Sequence, residues 1–279
     1  IEPPLHPDGP EKILKDYGIE PEEFEEQKLL NDLHRFKQDK GKTTEGIFAP
    51  WAIYKSDFQK IGGHDPLYAP QSKEDSDIFN RFLLAGYKFV QTWEGFVYHM
   101  TCRGSRFADG AKRNPNGEVF MKNRETDEWL KQNERSTRNF IRKWGHFVKH
   151  DALLKPIVPP KYDIGFVVKN CNLQLLELLE PWCSVIYTDC DWTPYFVKEQ
   201  SNTMYSLSER VHKIDNEKTN DILVEFDGSR VTNDSFQFLQ QLSEILQDSG
   251  ELGEMELDIF KITINKLKTY EKELIKCGV

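Results

Sequence analysis

The chain has 279 residues, 38% hydrophobic and 30% charged, with a formal net charge of −9. That is enough material for one large or two small cores, no apolar run approaches the ~20 residues of a membrane span, and the acidic balance argues against nucleic acid as a partner. Five cysteines with no CxxC pair suggest neither a disulfide framework nor a zinc knuckle, and IEPPLHPDG at the start carries no basic-then-apolar leader pattern; free thiols in a reducing, cytoplasmic setting are expected.

The charge is unevenly placed. Residues 1–155 hold 25 basic against 25 acidic side chains, and 156–279 hold 12 against 21, which predicts two domains of different character. Within the first, 101–149 carries 12 basic and 6 acidic residues, an excess suited either to a phosphate-bearing ligand or to a solvated helical face.

In chain order, 10–17 and 21–39 read as helices, each with proline near its first turn, and the second places Phe24, Leu29, Leu30, Leu33 and Phe36 on a broad apolar face. Residues 46–54 read as a buried strand. Trp51 in it is a candidate for lining an acceptor pocket, with core packing as the alternative. A short helix from Ser56 closes at Gly62-Gly63.

From Ser72 come a polar residue, an acidic first turn of Glu74, Asp75 and Asp77, apolar Ile78, Phe79, Phe82 and Leu83 at helical spacing, and Gly86 as a stop. Carboxylates at a helix start lie beside free backbone N–H groups and the positive end of the dipole, which keeps them ionised and fixes their direction. They either accept protons or simply complement the dipole. Two β-like runs, 87–92 and 96–99, follow with Glu94-Gly95 between them, so a hairpin ending in His99 is expected. Next is TCRGSRFADGAKRNPNGE, which has turn residues and no period, and 126–150 reads as one or two helices with Phe140, Ile141, Trp144, Phe147 and Val148 as a core stripe.

The prolines at 156, 159 and 160 mark a link. Beyond it, strands are expected at 163–168, 184–188, 222–226 and 254–264, with helices near 172–180, 235–247 and 265–276, a small α/β domain.

IGGHD, a loop, EDSDIFNRFLLAGYK and FVYH, in that order over roughly residues 46–107, resemble the second half of the nucleotide-binding domain of family-2 glycosyltransferases of GT-A fold. The resemblance implies that Asp75 is the base that deprotonates an acceptor hydroxyl, with Glu74 and Asp77 orienting base and acceptor. It implies that His99 helps hold Mn²⁺ or Mg²⁺ on the donor diphosphate, and that Arg103 and Arg106, in a loop that closes over the donor, contact its phosphates. The fold expectation is therefore α/β: a partial GT-A-like domain at 1–155 followed by a small acidic α/β domain at 156–279. The function implied is transfer of a sugar from a nucleotide-sugar donor to a glycan or other hydroxyl acceptor, with inversion. The alternative is a non-catalytic glycan- or protein-binding module on the same scaffold.

Two features temper this. Asp189-Cys190-Asp191 matches the DxD by which GT-A enzymes hold metal, but it follows the acidic helix across a link instead of preceding it, so an acidic turn is the better reading. The opening βαβ half with its own DxD is not found before Phe48. The expectation is an N-terminally truncated enzyme, inactive alone, whose open sheet edge is covered by the N-terminal helices or by a second copy in a homo-oligomer.

Overall fold

The computed structural model describes residues 1–6, 8–37, 41–47, 49–100, 111–121 and 126–277. The chain divides into two compact units, and the division does not follow the sequence boundary at 155. One unit comprises 1–54, 87–132 and 150–156; the other comprises 55–86, 133–149 and 157–279. The larger unit therefore draws the acidic helix and half of the following long helix together with the C-terminal region, because apolar and ionic partners of those helices lie far along the chain.

The smaller unit is poor in regular structure. It contains helix α1 (Glu26–Phe36), two two-residue strands β1 (Thr43–Thr44) and β2 (Gln91–Thr92), and the short pair β3 (Ala111–Arg113) and β4 (Val119–Met121). β2 pairs antiparallel with β1, Thr43 opposite Thr92, so the expected hairpin of 87–99 does not form. Its second arm bonds elsewhere: the His99 N–H donates to the Ile1 carbonyl at 2.8 Å, and the Ile1 amine donates to the Val97 carbonyl at 2.9 Å. The expected helix at 10–17 is also absent, since its backbone is spent on Glu2, which donates to the Ile13 carbonyl at 3.1 Å and accepts from Lys15 at 2.9 Å. The described part of 46–54 forms no strand, and the apolar stripe of α1 is not sealed, Leu30 being 45% exposed. Tyr17 and Tyr98 anchor what core there is. Their rings meet edge-on at 5.4 Å, and the Tyr17 hydroxyl donates to Asp32 at 2.9 Å.

The larger unit is α/β. It starts with helices α2 (Lys55–Lys60), α3 (Glu74–Leu84) and the second half of α4 (Asp127–Trp144). Then follow β5 (Ile164–Lys169), α5 (Leu173–Leu179), β6 (Val185–Thr188), α6 (Thr193–Glu199), α7 (Leu207–Arg210), β7 (Val211–Lys213), β8 (Ile222–Asp227), α8 (Asn233–Gln240), α9 (Leu242–Ser249), β9 (Gly253–Leu257) and β10 (Phe260–Ile264). The six strands form one sheet in the order β7-β6-β5-β8-β10-β9. The first four are parallel, with Phe166 opposite Ile186 and Val224, and β10 runs antiparallel between β8 and β9. The apolar run IGFVV is buried throughout, as a central parallel strand covered on both faces requires. Phe166, Val168, Leu176, Ile186, Val224 and Ile262 are all fully buried in this core.

The expected strand 254–264 is two strands turning at Asp258, whose φ is +53°. The expected helix 235–247 is two, parted at Gln241. Residues 265–276 carry only a 3₁₀ stretch at Glu271–Ile275. Ahead of it Asn265 and Lys266 donate to the Asp221 carbonyl and Tyr270 donates to the Lys161 carbonyl, which holds the segment along the sheet's end. α6, α7 and β7 were not legible, being short and weakly periodic. No helix among the described residues is long and apolar enough to cross a membrane.

Candidate functional site

α3 begins where expected and ends at Gly86, whose φ of +83° a side-chain-bearing residue would resist. Its entry differs from the expected cap. Ser72 and Lys73 both sit in the left-handed region, at φ 81° and 72°, and neither caps the helix with its side chain. Instead the Ser72 hydroxyl and the Lys73 ammonium both donate to Asn133 Oδ1, at 2.9 and 3.2 Å. Two consecutive non-glycine residues in that region cost on the order of 1–3 kcal/mol each, and such strain persists only where the surroundings impose it.

The three acidic residues of the first turn have three different environments. Asp75 is exposed. Glu74 is half-buried, with Oε2 enclosed and unpartnered, and its pKa is raised. Burial is the main cause and the charge of Asp75 adds to it, while backbone N–H groups and His64 oppose. Asp77 is wholly buried: it accepts from Arg81 Nε at 2.8 Å, Trp144 Nε1 at 2.9 Å and the Tyr68 hydroxyl at 3.3 Å, and pairs with Lys143 Nζ at 2.8 Å. Its oxygens are fully committed to the fold.

Those partners explain the IGGHD turn. Arg81, held by Asp77, donates to the Ile61 and Gly63 carbonyls at 2.8 and 2.7 Å, fixing a loop whose Gly62 and Gly63 have φ of +87° and +73°. Lys143 also reaches Asp65 at 2.7 Å. The loop brings exposed His64 close enough to act on the Glu74 carboxylate. Sequence reasoning missed His64, although it lies inside the quoted motif.

Trp51 and His99 belong to the other unit. Trp51 is partly exposed in a segment without regular structure. His99 Nδ1 lies 3.3 Å from Glu2 Oε2, and the same carboxylate takes Lys12 Nζ at 2.9 Å and His6 Nδ1 at 3.2 Å. Burial would raise the pKa of Glu2, but the bonds from Lys12 and His99 outweigh it and hold Glu2 ionised. Among the described residues no three His, Cys, Asp or Glu side chains stand together as a metal site. An Mn²⁺ or Mg²⁺ ion favours several oxygen ligands, so the described surroundings of His99 do not fit one. Arg103 and Arg106 lie outside the described residues.

Open doubly wound sheets take ligands outside the carboxyl ends of their strands where the strand order reverses, here between β5 and β8. That edge is internally bonded. Asp189 accepts the backbone N–H groups of Asn170 and Cys171 at 2.8 and 3.0 Å, Asp191 accepts that of Thr193 at 3.0 Å, and Asn170 Nδ2 donates to Asp227 at 3.1 Å. Asp189-Cys190-Asp191 is thus occupied as an acidic turn. No protein-family model and no curated protein matches the chain.

Proposed function

We propose that the chain is part of a GT-A-like glycosyltransferase in which Asp75 removes the proton of an acceptor hydroxyl as that oxygen attacks the anomeric carbon of a nucleotide-sugar. The observation that carries this reading is the strained entry to α3: consecutive left-handed Ser72 and Lys73 present Asp75 to solvent beside a second carboxylate of raised pKa. An exposed carboxylate at a helix start can accept the acceptor's proton, and half-buried Glu74 with His64 beside it is suited to orient the acceptor. Asp77 supports the site by holding the turn and the helix together, so it acts as a positioning residue. The resemblance of IGGHD and EDSDIFNRFLLAGYK supplies the reaction class and its inverting course. A diphosphate-bound Mn²⁺ or Mg²⁺ would have to take most of its ligands from outside the described residues, so no step here runs through it. The four described cysteines are free, in keeping with a cytoplasmic setting.

The test is Asp75→Asn in a full-length form extended upstream of Ile1, assayed for transfer from a panel of nucleotide-sugars with Mn²⁺ present. Loss of the base should lower kcat by roughly 10²–10⁴ while donor affinity stays near the wild-type value. Retained turnover removes Asp75 from the role. The second reading is a non-catalytic glycan- or protein-binding module on the same scaffold. Glycan binding by the wild-type full-length form, with no turnover of any donor, would select it.

A further inference from the structure

Residues 265–277 of the larger unit run from the end of β10 to the turn that precedes α3. At the sheet end the segment is tied to Asp221, whose carbonyl accepts from the Asn265 and Lys266 N–H groups at 2.9 and 3.2 Å and whose carboxylate takes Lys266 Nζ at 2.9 Å and the Tyr270 hydroxyl at 2.7 Å. Midway, Leu274 packs against the small core of Leu67, Tyr68, Phe140 and Trp144. At the far end Cys277 meets the Gly62-Gly63 turn: its N–H donates to the Ile61 carbonyl and its thiol to the Gly63 carbonyl, each at 3.4 Å. Those are the same two carbonyls that Arg81 holds. Burial raises the pKa of the Cys277 thiol, with Arg81 opposing, so the sulfur keeps the proton it donates. The approach requires glycine, because a Cβ on Gly62 would lie 2.9 Å from the Cys277 nitrogen.

We propose that 265–277 is a strap that positions the candidate site, gripping the 61–64 turn so that His64 stays at the entry of α3. The turn's own N–H groups close it on itself: Ile61, Gly62 and Gly63 donate to the carbonyls of Asp57, Gln59 and Phe58 at 3.3, 3.0 and 2.9 Å. The Ile61 and Gly63 carbonyls are left for Arg81 and the strap. Two glycines at positive φ have more freedom to lose than other residues, so such a turn is held best from outside. His64 follows directly, its ring edge-on to Phe58 at 5.5 Å and close enough to Glu74 to oppose the rise in that carboxyl's pKa. The grip is light. The 3₁₀ stretch Glu271–Ile275 buries none of its residues fully and the Cys277 bonds are long, so this end opens at small cost while the sheet stays closed. Only the consequence for transfer, a weaker hold on the acceptor once the strap lifts, rests on reading α3 as an acceptor site.

The experiment is Cys277→Pro in the whole chain, which removes the N–H and the thiol together; Lys276, extended at φ −93° and ψ 139°, accepts a proline after it. With no donor or acceptor present, amide exchange at 61–64 should speed up by about tenfold while exchange at 164–168 stays within about twofold of wild type. The His64 ring proton resonances should move too, since a loosened turn takes the ring off the Phe58 edge. A rise at 61–64 of less than about threefold, an equal rise at 164–168, or His64 resonances that stay in place overturns the strap. Full turnover by Asp75→Asn, with 61–64 loosened in Cys277→Pro, sinks the acceptor-site reading and leaves the strap standing.

Discussion

Two charged regions of the larger unit, the entry of α3 and the ionic clusters behind it, are built from the same residue types and behave oppositely. At the entry, Asp75 faces solvent and Glu74 is half-covered with one oxygen idle. Behind it, Asp77 has four partners, and Glu180 accepts from Arg142, Arg210 and the Tyr195 hydroxyl. Burial alone would raise the pKa of Glu180, but Arg210 and Arg142 overcome it and hold the carboxyl well below the usual range. The lesson is one of division of labour: a carboxylate with all its lone pairs engaged inside the protein fixes geometry, and one left facing water keeps its capacity for chemistry.

The comparison breaks most visibly at Arg142. Arg142→Ala leaves Glu180 and Glu199 short of a buried partner and should cost about 3–5 kcal/mol in urea unfolding. A cost under about 1 kcal/mol would mean that the cluster is not desolvated as it stands. Next is Asp77→Asn, where an amide cannot pair with Arg81 and Lys143 together; because Asp65 still holds Lys143, the loss should lie near the lower end of that range, about 3 kcal/mol. The same variant should loosen the Gly62-Gly63 turn, seen as faster amide exchange at 61–64.

His146 gives the comparison a pH axis. Burial lowers its pKa to about 4, with Lys149 and Lys161 adding to the effect and the Phe147 carbonyl opposing it. The unfolded chain takes up this proton near 6.5 and the folded one only near 4. The stability His146 contributes is therefore present above about pH 6.5 and lost as pH falls toward 4, by up to about 3 kcal/mol. His146→Gln should flatten that part of the stability profile; an unchanged slope would show that another group titrates there. Smallest of all, Asp75→Asn should alter stability by less than about 1 kcal/mol, the scale of an exposed charge at a helix N-terminus. A loss as large as that of Asp77→Asn would place Asp75 among the structural carboxylates and undercut its part in transfer.

What local physics dictates was readable from the chain. The 3.6-residue period and terminal glycine located α3, the run IGFVV located β5, and the helix expected near 172–180 is α5, which Asn172 caps by accepting from the Leu175 N–H at 2.9 Å. Each signal lies within one element, so no distant partner can overrule it cheaply. Pairing and burial were decided by tertiary structure. Residues 87–99 alternate as a hairpin should, yet Gln91 and Thr92 pair with Thr43 and Thr44, because a strand this short goes to whichever edge the fold offers. Asp75 and Asp77 are indistinguishable as sequence, two acids in one helical turn. Only the approach of Lys143 and Trp144, more than sixty residues on, makes one of them part of the core and leaves the other to the solvent.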